Sequence, residues 1–427
     1  MTFSRPPQVR LYPGEICVDH FAGGGGASLG IEWALGQSPH IAINHDKRAL
    51  AMHQRNHPHT KHYQENIWEV DPTEACAGRP VGLLWASPDC KHFSRAKGET
   101  PVQNGVRGLA WVLPKWAKAV RPRVMILENV PEFETWGPLH EIEKDGKTIL
   151  RPDKTRAGET FHAWLRELSN LGYSIEYRVL TAADYGAPTT RKRLFLIAHR
   201  DRDRVTFPRA THGKGRPMPW VPAHEIIDWS LPCQSIFARK KPLAQATLNR
   251  IAAGVDRYVV QGQPFVVRRD DGNLVLPWIT KHYGGMVGND MHKTLGAITA
   301  VDSNALSSAT LSPVTSGGEM QTAAFLMKYY KSGVCKPVTG PLDTVRTKGC
   351  FALIEVRGVP HRIVDIGTRM LQPHELYAAQ GFDDSYEYVD AGPGVKPFTQ
   401  REQIRMCGNA VPPPVARALV EEALAEG

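Results

Sequence analysis

Short apolar runs alternate with longer amphipathic stretches through the first half of the chain. The runs "EICVDHF" (15–21), "HIAIN" (40–44), "VGLLWAS" (81–87), "RVMILENV" (123–130) and "RLFLIAHR" (193–200) are nearly continuous in apolar residues. Such runs predict strands buried on both faces. "VRGLAWVLPKWAKAV" (106–120) and "GETFHAWLRELSNLG" (158–172) carry apolar residues at the helical period. Buried strands separated by helices predict a three-layer α/β domain with a mostly parallel sheet. Ligands of such sheets gather at the carboxyl ends of the strands.

After residue 200 the texture changes. "RDRDRVTFPRATHGKGRPMPWVPAHE" (200–225) is rich in Pro, Gly and basic residues and reads as a linker or hinge. From 262 to 356 short β-like runs and turns follow. A faint echo at a shift of 47 residues lays "ITKHYGGMV" (279–287) on "LMKYYKSGV" (326–334), which suggests two similar strand–turn units in one smaller domain. Helical pattern returns in "LQPHELYAAQGF" (371–382), with Pro373 in its first turn and Gly381 as a stop, and in "VPPPVARALVEEALAEG" (411–427).

Composition narrows the class. A chain of 427 residues can bury two cores. No apolar stretch approaches the roughly 18 residues of a membrane span, and "MTFSRPPQVRLYPGE" has no apolar signal core. The expectation is a cytoplasmic protein with no membrane partner. The seven cysteines include no C-x-x-C pair, so neither a zinc knuckle, another metal site nor a disulfide framework is expected. The net charge of +9 is concentrated: residues 191–250 hold 13 Lys and Arg against 4 Asp and Glu, and the remainder is balanced. One basic block points to a polyanionic partner.

Candidate chemistry sits at the predicted strand ends. "VDHFAGGGGASLGIEWALG" (18–36) is a strand, a glycine turn and a helix, an arrangement that nucleotide-type cofactors use. No Lys-Ser/Thr follows the glycines, which disfavours a phosphate-binding P-loop. About twenty residues on, Asn44, His45 and Asp46 supply hydrogen-bonding groups at the distance of a ribose reader. Glu128 and Asn129 close a buried strand, where a carboxylate is costly unless it is paired or catalytic. Arg191 and Arg193 precede another strand at a spacing that puts both on one side of extended chain, a pair suited to phosphate or a polarised carbonyl. Cys90, in "WASPDCKHFS" (85–94), lies at a strand end beside Lys91, His92 and Arg95, which favour a thiolate. It has no companion cysteines for a metal and no marked Cys–His pair for a protease, and a nucleophile toward an electron-poor ring remains open.

In their order these segments resemble the DNA (cytosine-5) methyltransferase family. "DHFAGGGG" resembles its cofactor motif, "SPDCKHFS" the catalytic loop, "ENV" the glutamate motif and "DYGAPTTRKRLFLIA" the arginine motif. "RMLQPHELYAAQGF" and "MCGNAVPPPVARAL" resemble the last two. The likeness covers most of residues 15–200 and about 369–420. It implies a Rossmann-like S-adenosylmethionine-dependent catalytic domain and a smaller β-rich target-recognition domain. It divides the chain into residues 1–200, completed by 398–427, a target-recognition domain at 201–368, and a connecting segment at 369–397. Cys90 would attack C6 of a flipped-out cytosine, Glu128 would hold the N3/N4 edge, and Arg193, assisted by Arg191, would bind O2 or support the loop. Phe21, Gly23, Gly24, Gly25, Asn44, His45, Asn66, Ile67 and Asn409 would surround S-adenosylmethionine. Double-stranded DNA would be the substrate, bound by a monomer, with a cognate restriction endonuclease a candidate partner in a bacterial or phage-infected cell. The chain departs from the family at Asp89, where a proline is usual, at Asn44–His45, where an acid–aromatic pair is usual, and at Asn66, where an acid is usual. An RNA methyltransferase of the same chemistry and an inactive DNA-binding relative are the alternatives.

Overall fold

The computed structural model describes residues 9–88, 108–144, 147–282, 288–301, 303–313, 325–326, 336–337, 354–356 and 359–425. Cys90 and Asp89, and most of the second copy of the 47-residue echo, lie outside the described residues. Contacts divide the chain into two compact units: one runs to Trp220 and includes 299–301 and 377–427, the other is 221–298 with 302–376. Residues 201–220, which read as a linker in the sequence, are thus packed within the first unit.

In the first unit the predicted runs form β1 (Ile16–His20), β2 (Ile41–Ile43), β4 (Val81–Ala86), β5 (Val124–Asn129) and β9 (Lys192–His199), joined by β3 (Lys61–Tyr63) and β8 (Ser174–Thr181). A separate hairpin pairs β6 (Leu139–Lys144) with β7 (Lys147–Pro152). The seven-stranded sheet has the order β3-β2-β1-β4-β5-β9-β8. Its strands are parallel from β3 to β5, and β9 runs against both of its neighbours. The order reverses between β1 and β4, so their carboxyl ends flank the crevice where open α/β sheets bind ligands.

Strand alternation splits the core into two layers. Ile16 and Val18 of β1 face a cluster with Leu113, Trp116, Phe161 and Trp164, carried by α4 (Val112–Val120) and α5 (Glu159–Asn170). Cys17 faces the other layer, with Ile31, Val415 and Leu419. There α1 (Gly26–Leu35) packs on α9 (Pro413–Leu424) and the residues leading into it, so closely that a Cβ at Gly26 would collide with the Val411 carbonyl oxygen. Of the other helices, α2 (Lys47–Asn56) is capped by Asp46, α3 is Pro72–Cys76, and α8 (Gln400–Asn409) opens with a Thr399–Glu402 capping box.

The second unit is built on long antiparallel strands. β10 (Gln234–Ser235), β11 (Val267–Arg268), β12 (Leu274–Lys281), β13 (Gly288–Asn289), β14 (Asn304–Pro313), β17 (Ile354–Val356) and β18 (Val359–Met370) share one sheet. A two-strand ladder, β15 (Phe325–Leu326) with β16 (Lys336–Pro337), stands apart. Leu274, Leu276 and Trp278 on one face of β12 cluster with Ile251 of α6 (Gln245–Gly254) and with Val255 and Val259 of the turn that follows. The short helix α7 (Pro373–Gln380) spans the boundary in sequence at residue 376. Among the described residues no helix is long and apolar enough to cross a membrane.

Candidate active site

The glycine turn joins β1 to α1 at the carboxyl edge. Phe21 has φ 60°, Gly23 55° and Gly25 101°, three left-handed residues within five. The turn is tied to β2, because the Ala22 N–H donates to the Ile43 carbonyl at 3.3 Å. The four glycines do different work. A Cβ at Gly24 would lie 3.0 Å from the Met52 sulfur, and one at Gly25 would lie 2.7 Å from the Tyr386 hydroxyl. Gly26 serves the α1–α9 contact, and only Gly23 faces open space, with nothing nearer than 3.8 Å. No side chain caps α1, so its first-turn N–H groups are left for another acceptor.

Asn44, His45, Asn66 and Ile67 follow β2 and β3 at the same edge. The Asn44 side-chain oxygen accepts from the Asp46 N–H at 2.8 Å, and its amide nitrogen has no partner among the described residues. Asp46 is fully engaged. It caps α2 through the Arg48 and Ala49 N–H groups and pairs with Arg405 at 2.8 Å. Burial alone would raise its pKa, but these partners reverse the shift and lower it. The side chain available at the ribose distance is therefore an amide donor. His45 and Asn66 are exposed, and Ile67 is buried in the first core layer.

Glu128 stands at the end of β5, 7% exposed, and the Arg193 Nε lies 3.1 Å from its carboxylate. The antiparallel pairing of β5 with β9 sets this up, since Glu128 lies opposite Phe195 and Asn129 opposite Leu194. The Asn129 amide donates to the Pro88 carbonyl at 3.4 Å, and the Ser87 N–H donates to the His20 carbonyl at 3.2 Å. The chain that enters the Cys90 segment is thus held between the ends of β1 and β5. Arg191 has a different use from Arg193. It is 3% exposed and donates to the Gly408 carbonyl at 2.8 Å, bracing the end of α8 where Asn409 is exposed. Sequence spacing put the two arginines together, whereas the hydrogen bonds send one to the glutamate and one to the last motif.

Beneath the glycine turn runs a buried polar chain that the sequence did not announce. The Ser28 hydroxyl donates to Asp19 at 2.6 Å and lies 2.8 Å from His53 Nε2, and His53 Nδ1 lies 2.8 Å from His62. The second carboxylate oxygen of Asp19 has no hydrogen-bond partner among the described residues. Burial raises the Asp19 pKa to about 7, with the Ser28 hydrogen bond pulling the other way. Burial holds His53 well below the ordinary imidazole range, helped by His57 and His62. Tyr386, reaching back from the C-terminal region, donates to the Gly24 carbonyl. Neither His53 nor Tyr386 carries a sequence signal: one interrupts an amphipathic helix, and the other is 362 residues from its partner. Among the described residues no cluster of His, Cys, Asp and Glu is placed to hold a metal ion.

The residues present suit a nucleotide-type cofactor: an uncapped helix start, an open turn position at Gly23 and an amide nitrogen without a partner among the described residues at the ribose distance. Comparisons with known proteins agree. The family model for C-5 cytosine-specific DNA methylases matches residues 16–219 and 287–425. Type II methyltransferase M.Sau3AI of Staphylococcus aureus is 26% identical over 196 residues, 43% of each chain. Type II methyltransferase M.AquIA of Picosynechococcus is 28% identical over 201 residues, 45% of this chain and 75% of the relative. The chain thus spans under half the length of the first of these relatives. An E. coli prophage protein, crystallised as a candidate DNA modification methyltransferase, superposes with TM-score 0.52 at 15% identity, covering 95% of this chain and 97% of its own. That likeness establishes the fold. With a family match across most of both units, the chain belongs to the C-5 cytosine-specific DNA methylases.

Proposed function

We propose that this chain transfers a methyl group from S-adenosylmethionine to C5 of cytosine in double-stranded DNA. The observation that carries the reading is the Glu128–Arg193 pair at the carboxyl end of β5, bonded through Asn129 to the backbone that leads into the Cys90 segment. When bound, the cofactor supplies an electrophilic methyl group. The chain's own residues must make the ring nucleophilic.

The Cys90 thiolate forms a bond to C6, and the C5–C6 π electrons move to C5. N3 takes a proton from solvent as the C6 bond forms, and the Glu128 carboxylate holds it there by accepting the N3–H hydrogen bond, which its buried setting strengthens. Arg193 keeps the glutamate in place and offers its remaining donors to the cytosine O2. C5 would take the methyl group as the donor's sulfur–methyl bond breaks with its electrons returning to sulfur, the C5 proton would pass to solvent water, and the electrons of that C–H bond would expel the Cys90 thiolate from C6. A base stacked in duplex cannot be reached from both faces, so the cytosine must be flipped out. Phe21, Gly23, Gly24, Gly25, Asn44, His45, Asn66, Ile67 and Asn409 frame the cofactor, with Asn44 donating to a ribose hydroxyl. The second unit reads the target sequence. Action as a monomer and a cognate restriction endonuclease belong to the same reading.

The test is incubation of the purified protein with methyl-labelled S-adenosylmethionine and either mixed-sequence duplex DNA or mixed RNA, then digestion to nucleosides. Label in 5-methylcytosine supports the reading. Label in RNA alone supports an RNA methyltransferase, and DNA binding without label supports an inactive relative.

A further inference from the structure

We propose that the loop from Thr211 to Trp220 is a phosphate-contacting clamp for duplex DNA, mounted on the catalytic unit. The inference rests on the reading that the substrate is DNA.

A sequence as rich in Gly and Pro as "THGKGRPMPW" would ordinarily wander over the surface, yet here it is bonded into one shape. The Met218 N–H donates to the Thr211 carbonyl at 3.2 Å, and the Gly213 N–H donates to the Met218 carbonyl at 2.8 Å. Gly213 (φ 123°) and Gly215 (φ 72°) make the reversal, in backbone conformations that side-chain-bearing residues rarely adopt. The base of the loop is fastened to the 3-10 turn Ala182–Tyr185. The Asp184 carbonyl accepts from the Thr211 and His212 N–H groups at 2.9 and 3.0 Å, and its carboxylate accepts from the Trp220 indole at 2.9 Å.

That anchor fixes where the loop is. The 3-10 turn directly follows β8 at Thr181, which pairs with Lys192 at the start of β9. The Ala182 N–H donates to the Arg191 carbonyl at 2.9 Å. The loop therefore hangs from the edge of the sheet that carries Arg191 and Arg193, not from the opposite end. Two cations ride on it: Lys214 and Arg216 are exposed, and neither has an ion-pair partner among the described residues. Met218 and Trp220, each 47% exposed, set apolar surface beside them.

Unpaired cations held in fixed positions suit a regularly spaced row of phosphates, and adjacent apolar surface suits deoxyribose. Phosphate contacts position a protein on the duplex without reading bases. The loop would thus set the enzyme's register while the second unit supplies sequence preference. A neutral or acidic protein surface would offer the cations no such row.

The experiment measures duplex binding by the full chain between 50 and 200 mM salt, comparing wild type with Lys214→Ala/Arg216→Ala. A control carries Arg79→Ala/Lys118→Ala, two exposed cations at the far end of the sheet. Each lost phosphate contact lowers the slope of log K against log salt by about 0.9, so the pair lowers it by about 1.8. Over this fourfold salt range, wild type should lose about twelvefold more affinity than the double variant. The loss should be the same on unrelated sequences, with melting temperature and S-adenosylmethionine binding unchanged. An unaltered slope, or the same change in the control, overturns the clamp while leaving DNA methylation intact. Failure of wild type to bind duplex at all would overturn the underlying reading along with the clamp.

Discussion

His20 closes β1 with its imidazole fully buried, and both ring nitrogens lack a partner among the described residues. The ring packs edge-on against Trp116 at 4.2 Å, in a layer otherwise apolar. Burial, with Lys115 adding repulsion, lowers its pKa from 6.5 to about 3. Replacing it with leucine removes an unsatisfied polar group at similar volume. Relief of that desolvation should stabilise the protein at pH 7.5 by about 1–3 kcal/mol. The pH dependence has a definite sign. The folded-state pKa lies below the unfolded one, so stability is complete above about pH 6.5 and is lost as pH falls toward 3. At pH 5.5 the unfolded state gains about 1.4 kcal/mol from binding a proton that the folded His20 refuses. Urea unfolding of wild type and His20→Leu at both pH values tests this, because other titrating groups cancel in the difference. The leucine variant should lead at pH 7.5, and its lead should widen by about 1.4 kcal/mol at pH 5.5. A leucine variant less stable at pH 7.5, or a gap that does not widen, would show that the buried His20 ring carries no such penalty.

Asp19 titrates in the opposite sense. Its folded pKa of about 7 lies above the ordinary 3.8, so the stability it confers is full below pH 3.8 and lost as pH rises through 7. Asp19→Asn should flatten the stability profile of the protein across that window, as read by thermal melts. Gly26→Ala should cost about 1–3 kcal/mol by forcing α1 off the Val411 carbonyl. Gly23→Ala, with open space but a left-handed backbone, should cost only about 1 kcal/mol while weakening cofactor binding more than folding. Calorimetry with S-adenosylmethionine beside melting curves separates the two. Arg193→Ala should lower kcat for methyl transfer by about 10²-fold, with Arg193→Lys recovering part of it.

Much of the first unit was legible because its strands are buried on both faces. Ile16 to Val18, Leu83 to Ala86 and Val124 to Leu127 have no polar side to hide, so they read as continuous apolar runs. The edge strand β3, "KHY", is short and polar and left no such trace. The glycine turn was visible as composition, but its division of labour was not. Whether a glycine faces a cofactor or the Val411 carbonyl depends on α9, almost four hundred residues away. The Glu128–Arg193 pair needed the antiparallel register of β9, which no local pattern encodes. His53 is a polar side chain buried with Ser28 and the half-buried His62 as its hydrogen-bond partners, contacts that propensity cannot foresee.

The most direct test of the account is capture of the covalent step at Cys90. A duplex carrying 5-fluorocytosine can accept the thiolate at C6 and the methyl group at C5, but fluorine cannot leave as a proton does, so the enzyme should stay attached. Wild type with S-adenosylmethionine should give a protein–DNA species stable to denaturing electrophoresis, with the DNA mapped by mass spectrometry to the peptide containing Cys90, and Cys90→Ala should give none. An adduct that persists in Cys90→Ala, or methylation of ordinary DNA by that variant at the wild-type rate, would contradict it.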